Sequence, residues 1–147
     1  MNDLLITQRH LPHWTCEGSW YFVTFCLESG VLTIDEQQMV LDHIKDGHSR
    51  FYRLVAVSVM PDHVHIILSP LERWSLSDVM KGIKGVSARE INKRRGTHGS
   101  LWQWESWDRV LRDDREQQEK LRYMLMNPVE EGLADNPWTY PGWFLQS

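Results

Sequence analysis

The chain has 147 residues, 41% hydrophobic and 24% charged, the size and balance expected of a single domain with its own core, spanning 1–147. No run approaches the roughly 18 apolar residues of a membrane span, and the first residues lack a basic segment followed by a long apolar one, so a cytoplasmic protein is the expectation. A net charge of -4 argues against a nonspecific nucleic-acid binder, which is usually basic overall.

An irregular N-terminal arm is expected over about residues 1–19, carrying Cys16 and two histidines, His10 and His13, that either touch DNA or order the arm. Residues 20–27 are aromatic and β-branched and read as a strand broken by Ser29-Gly30; Cys26 within it is expected to be a reduced buried thiol without chemical role. Thr33 with Glu36 forms a capping-box pattern for a helix that Gly47 can end. Residues 52–60 form a second strand, and Pro61-Asp62 turns it into a third as an antiparallel hairpin.

That third strand carries the most informative feature, His63-Val64-His65. Alternate side chains of a strand share a face, so the two imidazoles point one way while Val64, Ile66 and Leu68 face the core. Two neutral imidazoles can hold one divalent cation if a third group arrives from elsewhere. Asp62, by the same alternation, is expected on the opposite face.

Ser75 or Ser77 caps a longer helix with an apolar stripe at Leu76, Val79, Met80, Ile83 and Val86. Its outside bears Lys81, Lys84, Arg89, Lys93, Arg94 and Arg95 against one acid, Glu90. Charge alone leaves this stretch either a phosphate-binding surface or a solvated helix face. A loop follows, then Leu101-Trp102-Gln103-Trp104 and a short strand over 107–111. The tryptophans can stack unpaired bases, but loop anchors are the commoner use of such residues. Asp113 or Asp114 opens a last helix that should stop at Pro128, followed by an irregular tail over about 128–147.

At 100° per residue, Leu121, Met124 and Leu125 form the buried stripe of that last helix, and Glu116, Lys120, Tyr123 and Asn127 cluster on another face. Asn127 offers an oxygen as third metal ligand, and Tyr123 a phenol beside the ion. Glu116 and Lys120 are expected to form an exposed i,i+4 ion pair. A phenolate can attack a phosphodiester and store it as phosphotyrosine, so rejoining needs no nucleotide cofactor. The order strand, helix, strand, strand, helix, strand, helix predicts an α+β ferredoxin-like sandwich: an antiparallel sheet with helices on one face, an extra C-terminal helix carrying the nucleophile, and the site on the exposed face of the histidine strand.

The segments Val59-Met60-Pro61-Asp62-His63-Val64-His65, Leu101-Trp102-Gln103, Asp108-Arg109-Val110-Leu111-Arg112-Asp113 and Tyr123-Met124-Leu125-Met126-Asn127-Pro128 together resemble the single-tyrosine HUH transposases, IS200-like. Among these they look most like the REP-associated tyrosine transposases, and the likeness spans roughly residues 9–143. It implies a Mg²⁺- or Mn²⁺-dependent endonuclease and strand transferase acting on single-stranded DNA beside palindromic hairpins in a prokaryotic, nucleoid-associated setting. His63, His65 and Asn127 would be the metal ligands, Tyr123 would form a 5′-phosphotyrosine, and Lys81, Lys84, Arg89, Lys93, Arg94 and Arg95 would meet DNA phosphates. Asp62 stands where the family commonly has Asn, and Asn127 where the wider family often has Gln. Relatives work either alone or as homodimers. The rival reading is a hairpin-binding regulator of the same fold that no longer cuts; a zinc hydrolase built on His63 and His65 lacks a third ligand at the usual spacing.

Overall fold

The structure is a computed structural model and describes residues 18–146; His10, His13, Cys16 and most of the expected N-terminal arm lie outside them. The chain folds in the order β1 (Trp20–Leu27), α1 (Ile34–Asp46), β2 (Tyr52–Val59), β3 (His63–Pro70), α2 (Leu76–Arg95), β4 (Trp102–Leu111), α3 (Asp114–Glu130) and β5 (Trp143–Leu145). The five strands form one antiparallel sheet in the order β4-β1-β3-β2-β5. The first four are the ferredoxin-like arrangement expected from the sequence. No helix of the described residues is long and apolar enough to cross a membrane.

The sheet has two apolar faces because its central strands are buried on both sides. Val23, Phe25, Val64, Ile66 and Leu68 pack with Val40, Leu41 and Ile44 of α1 and Val79, Ile83 and Ile91 of α2. On the other face Trp20, Ala56, Ile67 and Leu111 pack with Leu121, Met124 and Leu125 of α3. The histidine face is therefore not an open sheet surface, as the sequence suggested, but a seam roofed by α3. The stripe read at 100° per residue is what glues that roof down.

All three helix starts behave as their residues require. Thr33 and Ser75 cap α1 and α2 with complete capping boxes through Glu36 and Asp78, and Asp113 accepts from the Glu116 amide to open α3. Pro128 does not end α3, which runs on to Glu130. A proline deprives a helix of one hydrogen bond, to the carbonyl four residues back, and this close to the end there is little helix left to lose. Amides after it still cap the last turn, Glu131 on Asn127 and Leu133 on Pro128.

Two further expectations change. The strand read over 107–111 is one continuous β4 from Trp102, bulged opposite Cys26, where the register with β1 shifts between Phe25 and Leu27. The tail is not wholly irregular: Trp143–Leu145 adds β5 to the β2 edge. Its entry depends on Gly142, where a Cβ would run into the Val59 carbonyl.

Glu36 is 5% exposed and its carboxylate is held by Arg95 through bonds of 2.7 and 2.8 Å. The Arg95 bonds hold its pKa below the usual value. A carboxylate depressed in the folded state adds stability above its unfolded pKa of about 4.3 and loses it as pH falls through the folded value. Arg95→Ala should cost about 2 kcal/mol near pH 7, measured by urea unfolding, with the difference from wild type shrinking below pH 4.

Candidate active site on the roofed face of the sheet

His63 and His65 do share the face turned towards α3, with ring centroids 4.8 Å apart at 75°. Asn127 and Tyr123 come down from α3. The Asn127 Oδ1 lies 3.3 Å from His63 Nε2, and the Tyr123 ring is 5.4 Å from that of His65. The paired imidazoles, the carboxamide and the Tyr123 ring thus lie side by side between β3 and α3.

Each imidazole is oriented from behind. His63 Nδ1 is 2.7 Å from the Asp62 carboxylate, an obligate acceptor, so that nitrogen carries the proton and Nε2 presents its lone pair. Asp62 was expected on the opposite face; it stands in the turn before β3, where strand alternation does not govern direction, and folds back onto the ring. His65 Nδ1 is 2.8 Å from Thr24 Oγ1 on the neighbouring strand, and its Nε2 is buried without a partner. Burial, reinforced by the positive charge His63 can carry, pushes the His65 pKa down to about 4, so the ring is neutral at physiological pH. The Asn127 carboxamide and the Lys120 charge act more weakly and in opposite directions.

This donor set fits a small divalent cation. His63 Nε2 and Asn127 Oδ1 are both acceptors, and two acceptors facing each other leave room for a positive charge rather than a hydrogen bond. Ligands at right angles around an octahedral ion with bonds of about 2.1 Å stand about 3 Å apart, close to the separation seen. The orphaned His65 Nε2 supplies a third donor. Among the described residues no cluster of three His, Cys, Asp or Glu side chains could hold a metal, and the group nearest the paired imidazoles from α3 is the Asn127 carboxamide.

Tyr123 is the tyrosine that lies beside the paired imidazoles. Tyr52 is buried with its hydroxyl on the Ile44 carbonyl, Tyr140 gives its hydroxyl to the Val59 carbonyl, and Tyr21 packs against the α1/α2 face. Burial raises the pKa of Tyr52, and that of Tyr140 to about 12, so neither ionises readily. Tyr123 is 46% exposed and edges onto Phe22, whose ring stacks on His65 at 5.3 Å.

Lys120 and Glu116 do not pair with each other. Glu116 binds Arg109 at 2.8 Å, and the Lys120 ammonium sits 5.0 Å from the Phe22 ring centroid and 5.6 Å from that of Tyr123. Thr24 and Phe22 were missed from sequence. The signal available was parity: in 20–27, Thr24 is the polar residue among apolar ones, in register with His65.

The basic helix α2 lies across the sheet from this pocket. Lys84 is committed inward, donating to the Gln103 and Trp104 carbonyls at 2.8 and 3.2 Å and to Ser106 Oγ at 3.1 Å, which pins the β4 bulge. Arg95 is taken by Glu36, and Arg94 lies 3.8 Å from Asp35. Lys81, Arg89 and Lys93 are exposed.

A family model described as "Transposase IS200 like" matches residues 25–111. The chain is 28% identical over 132 residues to a REP-associated tyrosine transposase of Escherichia coli, covering 84% of this chain and 74% of that protein. It is 36% identical over 80 residues to the ISDra2 transposase TnpA of Deinococcus radiodurans, covering 44% of this chain and 57% of the other. Its fold matches that of a REP-associated tyrosine transposase bound to a REP hairpin, with a TM-score of 0.68 at 20% identity, over 90% of this chain and 79% of that one.

Proposed function

Because the chain belongs to the IS200-like transposase family, we propose that it cleaves and rejoins single-stranded DNA beside a hairpin through a covalent bond to Tyr123. The observation that carries this reading is the meeting of Tyr123, His63, His65 and Asn127 on the roofed face. The Tyr123 oxygen attacks the scissile phosphorus, the bond from phosphorus to the 3′ oxygen breaks, the phenol proton leaves to water, and the departing 3′ oxygen takes one up. The 5′ phosphate stays on the tyrosine. Attack on that phosphotyrosine by a 3′-hydroxyl reverses the exchange and restores the phenol, with one phosphoester replacing another.

His63, His65 and Asn127 would hold one Mg²⁺ or Mn²⁺, which when bound polarises a phosphate oxygen and offsets the charge that builds on the leaving oxygen. Asp62 and Thr24 fix which nitrogen of each imidazole faces the pocket. Lys120 adds a positive charge beside the phenol. The expectation that all six cations of α2 meet DNA narrows to Lys81, Arg89, Lys93 and Arg94, since Lys84 is bonded to β4 and Arg95 to the buried Glu36, whereas the Arg94 contact with Asp35 is long and exposed; these would take phosphates of the hairpin as it wraps the domain.

Incubation of labelled, hairpin-flanked single-stranded DNA with Mn²⁺ and separation on a denaturing gel tests the reading. A covalent adduct is expected; binding with no adduct would make the protein a hairpin-binding regulator instead. Thr24→Val should leave the fold intact and weaken Mn²⁺ affinity about ten- to a hundredfold, measured by calorimetry, because the His65 ring loses the partner that holds its orientation.

A further inference from the structure

The three tryptophans around β4 are divided by the fold. Trp102 is buried, its indole N–H donating to Ser87 Oγ at 2.9 Å, and it anchors β4 to α2. Trp104 projects from the bulge, 93% exposed. Trp107 is different. It stands opposite Thr24 in the β1/β4 register, and Thr24 stands opposite His65 in the β1/β3 register. Residues paired across antiparallel strands share a face, so Trp107, Thr24 and His65 form one row across the catalytic face. At about 4.8 Å per strand, the Trp107 backbone is about 10 Å from that of His65.

The roof does not reach it. Helix α3 follows β4 and packs over Trp20, Leu111, Ile67 and Ala56 and over the histidines of β3, and Trp107, out on the β4 edge, keeps 52% of its surface exposed. No aromatic partner stacks on it among the described residues, whereas Trp102, Trp74, Trp138 and Trp143 each have one. Two residues along and on the same face is Arg109, opposite Phe22, and Phe22 lies under the Lys120 ammonium. An exposed indole is thus set in a strip that holds Thr24, His65, the Phe22 ring beside Tyr123, the Lys120 ammonium, and Arg109 with its partner Glu116. An aromatic platform next to cations is how unpaired bases are held without regard to sequence.

We propose that Trp107 is the stacking platform for an unpaired nucleobase next to the scissile phosphate, so that the strip from Trp107 to Tyr123 is the single-strand subsite of the enzyme. It rests on the nuclease reading for its substrate. Stacking one base there holds the adjoining phosphate over His65 and Tyr123 and leaves base pairing of the hairpin to other surfaces.

The test is binding alone, in a Tyr123→Phe background so that no adduct forms. The probes are a fluorescein-labelled dT12 and a 12-mer of abasic residues with the same backbone. The parent should bind dT12 about tenfold more tightly than the abasic strand. Trp107→Ala should lose that preference while its affinity for the abasic strand stays the same, and Trp107→Phe should keep most of it. Equal binding of dT12 by the parent and by Trp107→Ala, or a parent indifferent to the bases, overturns the inference. Trp107 lies on an edge strand with half its surface in water, and matching thermal melts of all three proteins exclude a folding defect. The adduct assay separates the two failures: an adduct with unchanged Trp107→Ala binding sinks this subsite and spares the nuclease, and no adduct with Trp107-dependent binding does the reverse.

Discussion

Tyr123→Phe should abolish the protein–DNA adduct, lowering its rate of formation by more than about a thousandfold, while binding of the hairpin substrate stays within about twofold of wild type. The substitution removes one oxygen and leaves the ring, and the ring's contacts are edge packing on His65 and Phe22. Because the phenol is half exposed, no buried hydrogen bond is lost with it. The selectivity of the effect is what identifies the nucleophile. Tyr140→Phe would sever a buried bond to the Val59 carbonyl and should lower stability by about 1 kcal/mol without touching the adduct rate.

Removal of the pocket donors gives the second large effect. His63→Ala and His65→Ala should each reduce Mn²⁺-supported adduct formation at least a hundredfold, the upper range seen when only a supporting residue is lost. The two should differ in their side effects. His63 is partly exposed, whereas His65 is 4% exposed between Phe22 and Tyr123, so His65→Ala also opens a cavity and should cost about 2 kcal/mol in a denaturant titration. Asn127→Ala should behave like the histidine variants, and Asn127→Gln should recover part of the activity because it keeps the carboxamide oxygen. Recovery by Asn127→Asp as well would point to ligation by oxygen rather than hydrogen bonding by the amide nitrogen. Loss in Asn127→Ala with no change in Mn²⁺ affinity would remove Asn127 from the ligand set.

Much of the pocket was legible because it rests on two fixed periods. The strand period of two put His63 and His65 on one face, and the helix period of 3.6 put Tyr123 and Asn127 on another side from Leu121, Met124 and Leu125. What the periods cannot say is which surface an amphipathic helix lands on. The apolar stripe of α3 needed a partner, and the second apolar face of the sheet, Ala56 and Ile67, was hidden inside strands whose apolar run is nearly continuous. The site was therefore read as open when it is roofed. Side chains in turns were equally out of reach: Asp62 precedes β3 and swings back onto His63. The charge cluster on α2 was visible as charge, but the partners that take up Lys84 and Arg95 lie 19 or more residues away in sequence. Pro128 and the Trp-rich tail misled for one reason. Both were read by local propensity, and tertiary pairing of β5 with β2 and the packing of the α3 end decided otherwise.

The most direct measurement is the site of attachment. The adduct formed with Mn²⁺ would be trimmed by a nuclease and digested with trypsin, which cuts after Arg122 and leaves both Tyr123 and Tyr140 on one C-terminal peptide. Fragmentation in the mass spectrometer then separates the two. The nucleotide mass should lie on Tyr123; finding it on Tyr140, Tyr21 or Tyr52, or finding a cleaved strand with no nucleotide on any tyrosine, would contradict a nucleophile poised beside His65 on the roofed face.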